Sequence, residues 1–125
     1  MLSNQKLISF LATTDPVKSK EFYEEKLGLA LEEDDAFALV FVVAGTMLRI
    51  QKVDKHSPHA FTSLGWAVND VALIVRELSR RGVSFQRYEG LEQDAGGVWT
   101  SPSGAKIAWF KDPDGNVLSL TEFSS

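Results

Sequence analysis

At 125 residues, 44% hydrophobic and 24% charged, the chain holds enough apolar side chains for one core and is too short for two independent domains of usual size. Its formal net charge of −4, with both signs dispersed, excludes a disorder signature and a basic footprint for nucleic acid. Cysteine is absent, which removes thiol nucleophiles, thiolate metal sites and disulfides together and fits a cytoplasmic protein.

Residues 1–6 are polar and lack a signal-peptide pattern, and no run approaches the roughly 18 apolar residues of a membrane span. Residues 7–13 then read as a strand. Asp15 is placed to cap a helix with Pro16 at its first position, where the missing N–H is harmless. Phe22, Tyr23 and Leu27 recur at helical spacing, and Lys26-Leu27-Gly28 supplies a cation and a glycine stop. Residues 29–33 can add a strand. Residues 36–43 and 46–53 are β-rich runs separated by Ala44-Gly45, a hairpin signal.

The order then repeats. Residues 64–68 form a strand, Asp70 caps a helix that puts Val71, Ile74, Val75 and Leu78 on one face, and Arg80-Arg81-Gly82 closes it. The Asp-to-Gly interval is 13 residues in the first unit and 12 in the second. Strands are expected over residues 84–88, 97–101, 105–110 and 117–123, with turns at Ser103-Gly104 and Asp112-Pro113-Asp114-Gly115-Asn116. This gives an α+β fold of two βαβββ repeats, a unit over 4–53 and a unit over 63–124 within one domain of 1–125. The polar stretch 54–62 links them. Matched caps and stops at both helices carry the reading.

Three stretches resemble the glyoxalase / bleomycin resistance / extradiol dioxygenase (vicinal oxygen chelate) superfamily. The first is Asp15, Ser19, Phe22-Tyr23 and Leu27-Gly28-Leu29; the second is the helix from Asp70 to Gly82; the third is the Asp112 to Asn116 turn. The resemblance covers nearly the whole chain and implies concave mixed sheets around a small-molecule cavity. In metal-dependent relatives the first and fourth strands of each unit present His, Gln or Glu, which hold a divalent ion at about 2.0–2.3 Å. The corresponding residues here are Ile8 and Ser63 on the first strands, and Arg49 and Ser119 on the fourth. None is a usual ligand, and an arginine there repels a cation. Shifting the alignment by one residue in either sense brings in no ligand. The expectation is therefore no metal and no cofactor at the family position.

His56 and His59, the two histidines, fall in the linker with no third ligand implied, so a solvated role outranks a metal role; His59 can still border the cavity. The acidic run Glu32-Glu33-Asp34-Asp35 reads first as a solvated hairpin and second as a field for a cationic ligand. Trp66, Trp99 and Trp109, with Phe37, Phe41, Phe61 and Phe110, lie on strands or their edges, where alternation sends some rings into a cavity and most into the core. Arg49 at a cavity position needs an anion, either an internal carboxylate, ranked first, or an acidic ligand. Glu122 stands an odd number of residues from Ser119 and so turns to the opposite face. There is no Gly-x-Ser-x-Gly elbow, phosphate loop or His/Asp/Ser pairing, so no catalytic residue is assigned.

An intact scaffold without donors at the metal positions implies a metal-independent binding or sequestering protein of the bleomycin-resistance type. Arg49, Trp66, Trp109, Phe41, Trp99, His59, Ser63 and Ser119 are its candidate contacts to a small organic ligand. Open sheet edges imply a homodimer, and nucleic acid and membrane are excluded as partners. The alternative is a glyoxalase-like lyase or isomerase with non-standard residues; a regulatory subunit with an empty pocket is the third class.

Overall fold

The computed structural model describes residues 1–124. They fall into two compact units, Met1–Ser57 and the chain from Pro58 onward. No helix among the described residues is long and apolar enough to cross a membrane.

In the first unit, β1 (Ile8–Thr13) leads into α1 (Pro16–Glu21) and then β2 (Ala30–Asp34), β3 (Ala38–Val43) and β4 (Thr46–Lys52). The Asp15 carboxylate accepts a hydrogen bond from the Lys18 N–H at 3.2 Å, and Pro16 occupies the first turn. The start of the helix is thus the expected one. Its end differs: Phe22–Lys26 forms a single π-helical turn, with Leu27 N–H bonded to the Phe22 carbonyl, before Gly28 takes φ 72. Two consecutive rings, Phe22 and Tyr23, are buried here edge to face with centroids 5.1 Å apart. A widened turn commonly serves to re-aim side chains that a regular helix would splay.

The sheet runs β1-β4-β3-β2, with β1 parallel to β4 and the other pairs antiparallel. A parallel pair needs a crossover, and the helix supplies it, so the helix packs on one face of the sheet. The Tyr23 ring lies 5.9 Å from Phe41, which fixes the helix side. Through the register, Leu39 and Ile50, Phe41 and Leu48, and Leu11 share that side. All five are buried, and each contributes roughly 1.5–3 kcal/mol of transfer free energy.

The second unit repeats the plan: β5 (Thr62–Ala67), α2 (Val71–Arg80), β6 (Trp99–Thr100), β7 (Lys106–Lys111) and β8 (Val117–Glu122), in the order β5-β8-β7-β6. The expected duplication and fold class are both present. Asp70 caps α2 by accepting from Leu73 N–H at 3.1 Å, and Val71, Val75 and Leu78 are its buried stripe. Glu122 reaches the same helix end, accepting from Val71 N–H at 2.9 Å. That bond fixes the helix side of this sheet as Glu122, Leu120 and Leu118, with Ala108 and Phe110 beside them on β7. Glu122 is thus a cap, on the opposite face from Ser119.

Residues 84–88 do not form the expected strand. One bridge, Phe85 to Phe110, and one bond from Gln86 N–H to the Trp109 carbonyl are made to β7. The reason is Gln93: its carboxamide accepts from Tyr88 N–H at 2.7 Å and donates to the carbonyls of Gln86 and Gly97 at 2.9 and 2.8 Å. A side-chain amide takes backbone groups that a ladder would have used. The Asp112 turn is built as expected, its carboxylate accepting from Asp114 N–H, Asn116 N–H and Asn116 Nδ2, each at 2.8–2.9 Å.

Candidate functional site

The common strand order makes the two sheets comparable position by position. On the helix-free face of the first unit, Arg49 on β4 lies between Phe10 on β1 and Val40 on β3, and Val40 is in turn opposite Glu33 on β2. In the second unit Ser119 on β8 lies between Gly65 on β5 and Trp109 on β7. The register therefore pairs Arg49 with Ser119 as equivalents, and Phe10 with Gly65. Ile8 and Ser63 stand two residues earlier on their strands, Ser63 inside a β-bulge between Thr62 and Leu64.

In the second unit the face is aromatic. Trp109 and Trp99 have centroids 6.2 Å apart, and Tyr88 stands edge-on to Trp109 at 5.4 Å. Burial pushes the Tyr88 phenol up from its ordinary pKa, so it stays a neutral hydrogen-bonding group at physiological pH. Ser119 is buried beside Gly65. A β-carbon at Gly65 would come within 2.7 Å of Ser119 Oγ. The glycine is what lets the hydroxyl stand against β5.

In the first unit the face is largely apolar around one cation, with Gln51 two residues along β4 and Glu33 at the end of the Arg49 row. Ile8 and Phe10 on β1, Val40 and Val42 on β3, and Met47 on β4 surround Arg49. Among the described residues the Arg49 side chain makes no ion pair within 4.0 Å and no hydrogen bond. Of the carboxylates, Asp35 feels its field without closing an ion pair. Two members of the acidic run are otherwise engaged. Asp34 pairs with Lys52 at 2.6 Å and Lys20 at 3.8 Å, and Asp35 accepts from Phe37 and Ala38 N–H.

The structure thus brings Trp99, Trp109 and Ser119 onto one face, and it places Arg49 on the equivalent face of the other repeat. It does not bring Phe41 or Trp66 there. Phe41 is fully buried against Tyr23, and Trp66, opposite Leu120, stacks on Phe110 at 6.4 Å on the helix side. His59 stacks on Phe61 in the linker, centroids 4.6 Å apart and planes 10° from parallel. Sequence reasoning missed Phe10, Gly65 and Tyr88. A glycine inside a strand pattern is the signal available for Gly65, and Phe10 shares the parity of Ile8.

Ile8, Arg49, Ser63 and Ser119 provide no imidazole or carboxylate donor, so they do not fit the divalent ion of metal-dependent relatives. No group of three or more His, Cys, Asp or Glu able to hold a metal occurs among the described residues.

A family model described as Glyoxalase/Bleomycin resistance protein/Dioxygenase superfamily matches residues 7–120. The chain belongs to this superfamily. No curated protein matches it. Solved structures do, over nearly their full length. TnmS3, an antibiotic binding protein from Streptomyces sp. CB03234, is similar at 26% identity and TM-score 0.75, covering 99% of both chains. A superfamily member from Sphaerobacter thermophilus DSM 20745 shares 22% identity at TM-score 0.76, with 98% and 99% covered. A bleomycin resistance determinant encoded on the transposon Tn5 shares 21% at 0.73, with 98% and 100% covered.

Proposed function

We propose that this protein is a metal-independent, cytoplasmic member of the bleomycin-resistance type that binds or sequesters a small organic molecule. The observation that carries the proposal is that Ile8, Arg49, Ser63 and Ser119, the residues corresponding to the family ligand positions, offer no metal donor, while Trp99 and Trp109 share the face of Ser119 in the second unit. Apolar walls with a few convergent polar groups are the general make-up of small-molecule sites. The likeness to an antibiotic binding protein at 26% identity supports the same class.

In this reading the second unit offers Trp99, Trp109 and Tyr88 as stacking surface and Ser119 and Ser63 as hydroxyls, the first unit offers Arg49 as a cation, and His59 is a further candidate contact. The chain acts as one domain over 1–125 and as a homodimer, whose second copy pairs with an open sheet edge.

The test is elemental analysis of protein purified without chelator, together with a thermal-shift screen of hydrophobic and aromatic compounds. Substoichiometric transition metal and at least one stabilising compound whose effect survives chelation are expected. About one tightly held transition metal per chain overturns the proposal. Chelator-resistant turnover of a screened compound moves the assignment to the enzyme class.

A further inference from the structure

The Arg49 side chain makes no ion pair within 4.0 Å among the described residues, and Asp35, the carboxylate its field reaches, is already held by the Phe37 and Ala38 N–H groups. The neighbours of Arg49 on its face of the sheet are apolar but for Gln51, two residues along β4: Phe10 and Ile8 across the parallel ladder, Val40, Val42 and Met47 across and along the antiparallel one. Three of these are solvent-accessible, Ile8 at 48%, Phe10 at 54% and Val42 at 38%. A guanidinium among such groups loses part of its hydration without gaining a protein acceptor, an arrangement that disfavours the empty state. Glu33, the acidic residue in the same cross-strand row, sits two strands away, roughly 10 Å at ordinary strand spacing. Elsewhere Arg80 and Arg81 meet Glu77, and Arg87 donates to the carbonyls of Asp94 and Ala95.

We infer that the ligand is an organic anion, an apolar body carrying one carboxylate or comparable oxyanion, whose charged head is taken by Arg49. The inference rests on the small-molecule reading above and names the substrate class of that site. The planar fork of arginine matches two oxygens of a carboxylate or sulfonate at once, which a lysine ammonium cannot do. The hydrocarbon part then lies over Phe10, Ile8, Met47 and Val42, within one or two strand spacings of the guanidinium. A cationic ligand is opposed by Arg49, and a neutral one leaves it unsatisfied.

A matched pair of fluorescent probes separates the possibilities. 8-Anilinonaphthalene-1-sulfonate and N-phenyl-1-naphthylamine share their rings and differ by one anionic group. Wild-type protein is expected to bind the sulfonate at least about tenfold more tightly, a preference that shrinks as potassium chloride is raised. Arg49→Gln is expected to bring the two probes within about threefold of each other, and Arg49→Lys to fall between. Equal affinities in the wild type overturn the inference while leaving the small-molecule reading intact, and so does a preference that persists in a folded Arg49→Gln. Binding of neither probe overturns both. The wild-type comparison and its salt dependence need no variant, so a misfolded Arg49→Gln does not remove the test.

Discussion

Replacing Gly65 by alanine tests how the second repeat positions Ser119. The added methyl would lie 2.7 Å from Ser119 Oγ, 3.4 Å from the Ser119 carbonyl oxygen and 4.0 Å from its Cβ. Only the first contact is forbidden. Ser119 is buried between Gly65 and Trp109, so relief requires its hydroxyl to rotate to another staggered position or β5 to move away. Overpacking of this kind destabilises by about 1–3 kcal/mol. Against it stands a gain of about 0.4–1 kcal/mol from restricting the unfolded chain, since Gly65 is not held at positive φ. The expected net effect of Gly65→Ala is a loss of about 1 kcal/mol in urea unfolding with an unchanged m-value. Ser119→Ala removes the offending oxygen and leaves only ordinary contacts, so Gly65→Ala/Ser119→Ala should recover that loss, a coupling of about 1 kcal/mol in the double-mutant cycle. A Gly65→Ala protein as stable as wild type, or a double variant no better than Gly65→Ala, refutes the placement of the hydroxyl against β5.

Other expectations rest on single atoms. Ser19 is fully buried in α1 and its hydroxyl has no hydrogen-bond partner, so Ser19→Ala should stabilise by about 1 kcal/mol in the same assay. Ala44 holds φ 47 ahead of Gly45 at φ 84 in the β3–β4 hairpin; asparagine tolerates that conformation better, and Ala44→Asn should raise stability by about 0.5 kcal/mol. The Asp35 carboxyl is held below its ordinary pKa of 3.8, first by the bond from Phe37 N–H, then by that from Ala38 N–H, with Arg49 and Lys52 adding and desolvation opposing. A native pKa below the unfolded one means that the charged form stabilises the fold above the unfolded value and that this contribution is lost as pH falls through the lowered native value. Asp35→Asn should therefore be less stable than wild type at about pH 7 and converge with it at about pH 2; a constant difference contradicts the linkage.

Much of the fold is legible in the chain because its signals are local. Caps at Asp15 and Asp70, stops at Gly28 and Gly82 and the Asp112 turn each act within a few residues, so the chain carries them in plain order. The fate of residues 84–88 is not legible, because Gln93 competes for their backbone groups from several positions away. In the site, parity places Glu122 opposite Ser119. The same parity separates Trp66 from Gly65 and Ser119, whereas composition alone groups Trp66 with Trp99 and Trp109.

By itself the sequence determined the duplicated βαβββ plan, the equivalence of Arg49 with Ser119, and the lack of metal-donor chemistry at Ile8, Arg49, Ser63 and Ser119. These rest on residue identity and spacing, which folding does not alter. Only the tertiary structure decided which rings share a face, that Gly65 makes room for Ser119 Oγ, and that no carboxylate among the described residues closes an ion pair with Arg49 within 4.0 Å. Alternation along a strand yields two faces without saying which one the helix covers, and a charge finds its partner through distances set by strands far apart in the chain.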